Sequence, residues 1–112
     1  MLSNNEIAVF CEQSGMILES GLSMLEGISI MEVDVEPQNT EYKRIYADIR
    51  TCLEETGIFY EALQRAGVFP DYVIQMAKLG EETGNLDVTM KGLAAYYERE
   101  ENTMQDIRSA IS

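Results

Sequence analysis

The stretch NLDVTMKGLAAYYEREENTMQDIRSAI, residues 85–111, places apolar side chains at Leu86, Met90, Leu93, Tyr97, Met104, Ile107 and Ile111, a spacing near 3.5 residues broken only by Glu100. That period lines one side of an α-helix, and Asn85 is a residue type that caps helix starts. Upstream, Val68-Phe69-Pro70 places Pro70 in the first turn of another helix, where its missing N–H costs nothing. That helix carries Tyr72, Val73, Met76, Ala77 and Leu79 and ends in Gly80-Glu81-Glu82-Thr83-Gly84. Nearer the start, Ser3 with Glu6 and Ser23 with Glu26 form two S-x-x-E capping boxes. The first opens a helix to about Glu19, stopped by Gly21 in a left-handed conformation. The second opens a helix from Met24 to about Val35, apolar nearly all round and so expected between neighbours or under a partner. Pro37 marks a loop, Asn39 or Thr40 caps a third helix ending at Gly57, and a short fourth runs from about Phe59 to Arg65. No run alternates like a strand. The expectation is an all-α bundle of about six helices with a long last helix, forming one domain over residues 1–112.

Composition narrows the function. The chain holds 112 residues, enough for one core, with eight Lys and Arg against twenty Asp and Glu for a net charge of −12. Its first forty residues carry seven acids and no base at all. Such a field repels phosphate backbones and anionic headgroups, so neither a nucleic acid nor a membrane surface is expected as a partner of these residues. There is no His, which removes the usual general base and most zinc sites. Cys11 and Cys52 lie in apolar helical stripes and match no metal spacing, so they read as reduced core thiols. The opening residues carry no positive charge ahead of an apolar run, and no apolar stretch approaches a bilayer span.

Few residues could carry chemistry. Glu54-Glu55, Glu81-Glu82 and Glu98/Glu100/Glu101 are the acidic clusters, and adjacent helical residues point about 100° apart, so none is a ready catalytic pair. They read as solvated faces. A divalent cation such as calcium, shared where two copies meet at an acidic surface, is the one metal idea the composition allows. Gly80 and Gly84 bracket a helix end and a tight turn, with a left-handed Gly84 and Asn85 accepting from the next helix. Gly80, lacking a side chain, suggests that another helix passes close. Glu81, in the last turn, faces the negative end of its helix dipole. Something should offset that: an internal base such as Lys78 or Arg99, a bound cation, or a docking site on another protein. Glu81 and Glu82 are the candidate partner-binding residues, with an internal tie favoured for Glu81 and an exposed, partner-facing place for Glu82.

A resemblance adds to this. Leu18 to Gly27 resembles the "L-x-x-G-h-x-h-x-x-A/G" opening of the type II secretion system F domain. Val68-Phe69-Pro70 followed by Leu79-Gly80-Glu81-Glu82-Thr83-Gly84-Asn85-Leu86 is similar to its signature "h-F-P … h-G-E-x-(S/T)-G-x-L", and Leu93 to Glu98 to "L-A-x-Y-x-E". The segment Gly57–Leu63 departs from the family's "G-x-S-h-x-x-A-L" in lacking the serine cap. On this resemblance Gly21, Phe69, Pro70, Gly80, Gly84, Asn85 and Leu86 are motif residues.

The resemblance implies a non-enzymatic docking domain, the first of two copies in a platform protein of the bacterial inner membrane. It would lie on the cytoplasmic face, followed by a membrane helix. Its partners would be the assembly ATPase and other components of a type II secretion, type IV pilus or competence machine, with homo-oligomerisation possible. The rival is an independent acidic helical adaptor that binds a partner helix; a metal-dependent enzyme ranks third.

Overall fold

Both capping boxes form. Ser3 Oγ accepts the Glu6 N–H at 3.1 Å while the Glu6 carboxylate accepts the Ser3 N–H at 2.9 Å. Ser23 and Glu26 repeat the exchange at 3.1 Å each way. In the computed structural model, which describes residues 1–112, six helices follow: α1 Asn4–Glu19, α2 Met24–Val33, α3 Thr40–Thr56, α4 Phe59–Ala66, α5 Asp71–Thr83 and α6 Leu86–Ile111, with no strand. The all-α reading therefore holds, long last helix included.

Two boundaries move. α2 stops at Val33 rather than Val35: Glu32 and Asp34 crowd the negative end of its dipole with no base in the last turn. Pro70 stands one residue ahead of the helix as the N-cap of α5 (φ −62°, ψ 152°), its carbonyl accepting the Ile74 N–H at 3.2 Å.

Each helix packs on the next, and α6 returns to pack on α1, closing a ring. The α1–α6 pair is antiparallel, since Gly15 lies against Lys91 and Asp87 while Asn5 and Ala8 share a cleft with Glu101 and Ala94. A side chain at Gly15 would put its Cβ 2.6 Å from Lys91 Cγ, so the glycine permits this approach. Lys91 also pairs with Glu19 across the two helices, and Arg50 ties α3 to α2 through Glu32 at 2.8 Å. At the centre Phe10 meets Phe69 (centroids 4.9 Å), Tyr46 (6.2 Å) and Phe59 (6.4 Å), contacts that join α1 to α3, α4 and the loop before α5. Cys11 and Cys52 are free and fully buried within the same core.

The stripe of α6 divides. Met90, Leu93 and Tyr97 are buried, but Met104, Ile107 and Ile111 are 41%, 48% and 80% exposed, because the last turns run beyond α1. On α2, Met24, Ile28 and Met31 face inward while Ile30 and Val33 are open to solvent, so the helix is covered on one side only.

Candidate docking site around the Gly80–Leu86 turn

The turn is built from its backbone. Gly84 adopts φ +73° with no atom near the place of a Cβ, so its glycine is there for the left-handed conformation. The Asn85 N–H reaches back to the Gly80 carbonyl at 2.8 Å and the Gly84 N–H to Glu81 O at 3.5 Å, the paired bonds of a Schellman stop. Asn85 is the N-cap of α6 by position, but its side chain makes no capping bond (φ −121°, ψ 30°). Its carbonyl does the work instead, accepting from the Thr89 N–H and the Thr89 hydroxyl, both at 2.9 Å. The expectation of a side-chain cap at Asn85 is corrected accordingly. Gly80 lies in the last turn of α5 and is buried against α6, the close approach expected there: an added Cβ would stand 2.8 Å from Thr89 Cβ.

Glu81 turns inward to a partner that is neither a base nor a metal. Its Oε2 accepts the Phe59 N–H at 2.6 Å and its Oε1 the Tyr60 N–H at 3.1 Å. These are the first two amides of α4, whose N-cap is Ile58, a residue with nothing to offer them. The carboxylate thus faces the negative end of its own helix and the positive end of another, and supplies across the fold the cap that α4 lacks locally. Neither Lys78 nor Arg99 takes part: Lys78 lies over the Tyr60 ring, 5.3 Å from its centroid. Glu82, one residue on, is exposed, and its side chain makes no hydrogen bond or ion pair within the chain.

The other motif residues stand apart from this turn. Gly21 (φ +91°) closes α1, and its N–H bonds Leu18 O at 3.1 Å. Phe69 is in the core beside Phe10, and Leu86 is half-buried at the start of α6. Phe69 and Pro70 start α5, the Gly80–Leu86 turn ends it, and Glu81 reaches from there to α4. Sequence reasoning missed Gly15, though a glycine inside an apolar helical stripe is itself a signal of close approach.

Electrostatics set the outer surface. Glu6 is held below the usual carboxylate range, first by the Ser3 N–H and then by the Tyr42 hydroxyl, which donates to Glu6 at 2.6 Å. Burial pushes the Cys11 thiol up to about 12, which suits a core side chain and not a nucleophile. No group of three or more acids or thiols converges on one point where a metal ion could be held.

Comparison with known proteins places this arrangement. The family model for type II secretion system (T2SS) protein F matches residues 10–112. The chain belongs to the type II secretion system protein F family. Among curated relatives of this family, the type IV pilus assembly protein PilC of Thermus thermophilus is 31% identical over 107 residues, covering 96% of this chain and 26% of that protein. PilC of Myxococcus xanthus is 27% identical, covering 99% and 26%. Type II secretion system protein F of Xanthomonas campestris is 30% identical over 97 residues, covering 86% and 24%. The chain spans about a quarter of the length of these relatives. It is a protein F domain of secretion or pilus assembly systems, and none of its helices is long and apolar enough to cross a membrane.

Proposed function

We propose that this domain is a non-enzymatic docking module of a platform protein, coupling a cytoplasmic assembly ATPase to the movement of pilin or pseudopilin subunits. It is the first of two such domains, held at the cytoplasmic face of the inner membrane by segments outside this chain. The family match over residues 10–112 carries the reading. The lengths of the relatives support the larger parent protein. The closed ring of helices supports a body that moves as one piece and passes force on. A net charge of −12 favours a basic docking surface on the partner, with Glu82 as one exposed acid offered to it. Steering of that kind acts mainly on association rate and fades as salt shortens the screening length from about 10 Å at 0.1 M to about 3 Å at 1 M.

The test is binding of the assembly ATPase to the immobilised domain by interferometry across a salt series, with Glu82→Gln alongside. The expected result is an on-rate that falls steeply with salt, and a weaker complex for the variant at unchanged melting temperature. An on-rate indifferent to salt overturns the electrostatic docking. A variant that binds as well as the native chain removes Glu82 from the site.

A further inference from the structure

Between α1, α2 and α3 lies an open groove of about 410 Å³, within the range of ligand-binding clefts and lined by no residue of the Gly80–Leu86 turn. Its floor is apolar: Phe10, Met31, Tyr46 and Phe69 are each buried in the core, and Phe10 packs on Tyr46 and Phe69. One lip is α1, where Val9 is 48% exposed. The other is the turn after α2. Because that helix ends at Val33, Val35 is half-buried at the groove and flanked by two exposed acids, Asp34 and Glu36. A third acid, Glu6, is fixed at the rim by the Ser3 N–H and the Tyr42 hydroxyl. No Lys or Arg lines the groove. α1 and α2 contain none, and the first base in the chain is Lys43.

We propose that this groove receives a basic amphipathic segment of a partner protein, its apolar side chains over the floor and its bases against Glu6, Asp34 and Glu36. An apolar floor inside a polar rim is the anatomy of a protein interface, and apolar anchors at helical spacing are the means by which such a groove is filled. Charge decides among occupants. A second copy of this chain fits poorly, since it brings a net charge of −12, and four of its eight bases (Arg44, Arg50, Arg65 and Lys91) are already paired with its own acids. The inference rests on the docking reading for its biological sense, and on the groove alone for its chemistry.

The experiment titrates the ¹⁵N-labelled chain with three synthetic peptides and follows its amide signals. One carries leucines at i, i+3 or i+4, and i+7 on a Lys/Arg background; one has the same composition with the leucine spacing scrambled; one keeps the spacing on a Glu background. The first is expected to saturate and to move the amides of Val9, Val35 and Glu36, the scrambled peptide to bind at least tenfold more weakly, and the acidic peptide not at all. Asp34→Lys with Glu36→Lys, both exposed and so harmless to folding, is expected to weaken the first peptide at least tenfold. Equal binding of the scrambled peptide, signals moving only elsewhere (the cleft of Glu12, Glu98 and Glu101 included), or no binding overturns the proposal. The same double variant is then offered to the assembly ATPase. If the peptides fail while the ATPase still binds, the groove is wrong and the docking function stands. If the peptide binds as described and the ATPase binds neither form of the chain, the groove stands and the ATPase is not its partner.

Discussion

Replacing Glu81 by alanine strips two backbone amides of their acceptor, since the Phe59 and Tyr60 N–H groups bond this carboxylate at 2.6 and 3.1 Å and Ile58 provides no substitute. Loss of a helix N-cap costs about 0.5–2 kcal/mol, and bonds to a charged acceptor lie at the upper end. Removing an acid from the last turn of α5 returns about 0.3–0.5 kcal/mol. The net loss expected is about 1.5 kcal/mol, or a fall in Tm of roughly 6 °C for a domain of this size. Glu81→Gln should lose about half as much, because a neutral amide oxygen can serve one N–H while its NH₂ opposes the other. Thermal melting by circular dichroism gives the magnitude, and amide exchange at Phe59 and Tyr60 gives the location. A second substitution sharpens the test. Ile58 has the extended conformation of a cap residue (φ −107°, ψ 111°), so Ile58→Ser should restore about 1 kcal/mol in the Glu81→Ala background and add nothing to the native chain. A Tm change under about 2 °C for Glu81→Ala, with exchange at the two amides unaltered, would refute the clasp, since a lost cap is worth more.

Three further outcomes follow from the packing. Gly80→Ala should destabilise by about 1–3 kcal/mol through collision with Thr89, although alanine in a helix interior ordinarily gains about 1 kcal/mol over glycine, so the sign of the melting shift decides; Thr89→Ala should recover part of the loss. Gly84→Val should cost about 1–2 kcal/mol by backbone strain alone, since nothing crowds the site; an unchanged Tm would refute the need for a positive φ there. Cys11 and Cys52 should label with a thiol reagent only on unfolding, and rapid modification of either in the native chain would contradict their burial. pH offers a further check. Glu6 has its pKa lowered on folding from the ordinary 4.5, so its contribution is complete above that value and is lost as pH falls through the folded value. Denaturant midpoints between about pH 6 and about pH 3 should therefore fall less steeply for Glu6→Gln than for the native chain, and parallel curves would refute the assignment.

What the sequence made legible was what is local. Ser3 with Glu6, Ser23 with Glu26, Gly21, Gly57 and Gly84 each fix a helix end within a few residues of themselves, and each helix end is where those residues put it. The cap of α4 was not legible. Its acceptor lies more than twenty residues downstream, and from sequence alone Glu81 is only an acid at the unfavourable end of a helix. The division of the α6 stripe was hidden for the same reason, because Met104 and Ile107 keep the period of Met90 and Leu93 and only the length of α1 decides which are covered. The early end of α2 did leave a trace, in the acids Glu32, Asp34 and Glu36 gathered where a helix end favours bases. That small shift of boundary is what places Val35 and its two acids on the lip of the groove.

The antiparallel pairing of α1 with α6 also has a consequence for the order in which the protein is made. Of the six helices α1 leaves the ribosome ahead of the others, and the cover for its Ala8 and Gly15 side follows only after α5, so that face is without its partner while α2 to α5 are synthesised. From Glu19 to Tyr97, at the usual 5–20 residues per second, that interval is roughly 4–16 s. The ring can close only from its ends, so a pause in translation between α5 and α6 prolongs the time in which the uncovered first helix is open to the wrong neighbour.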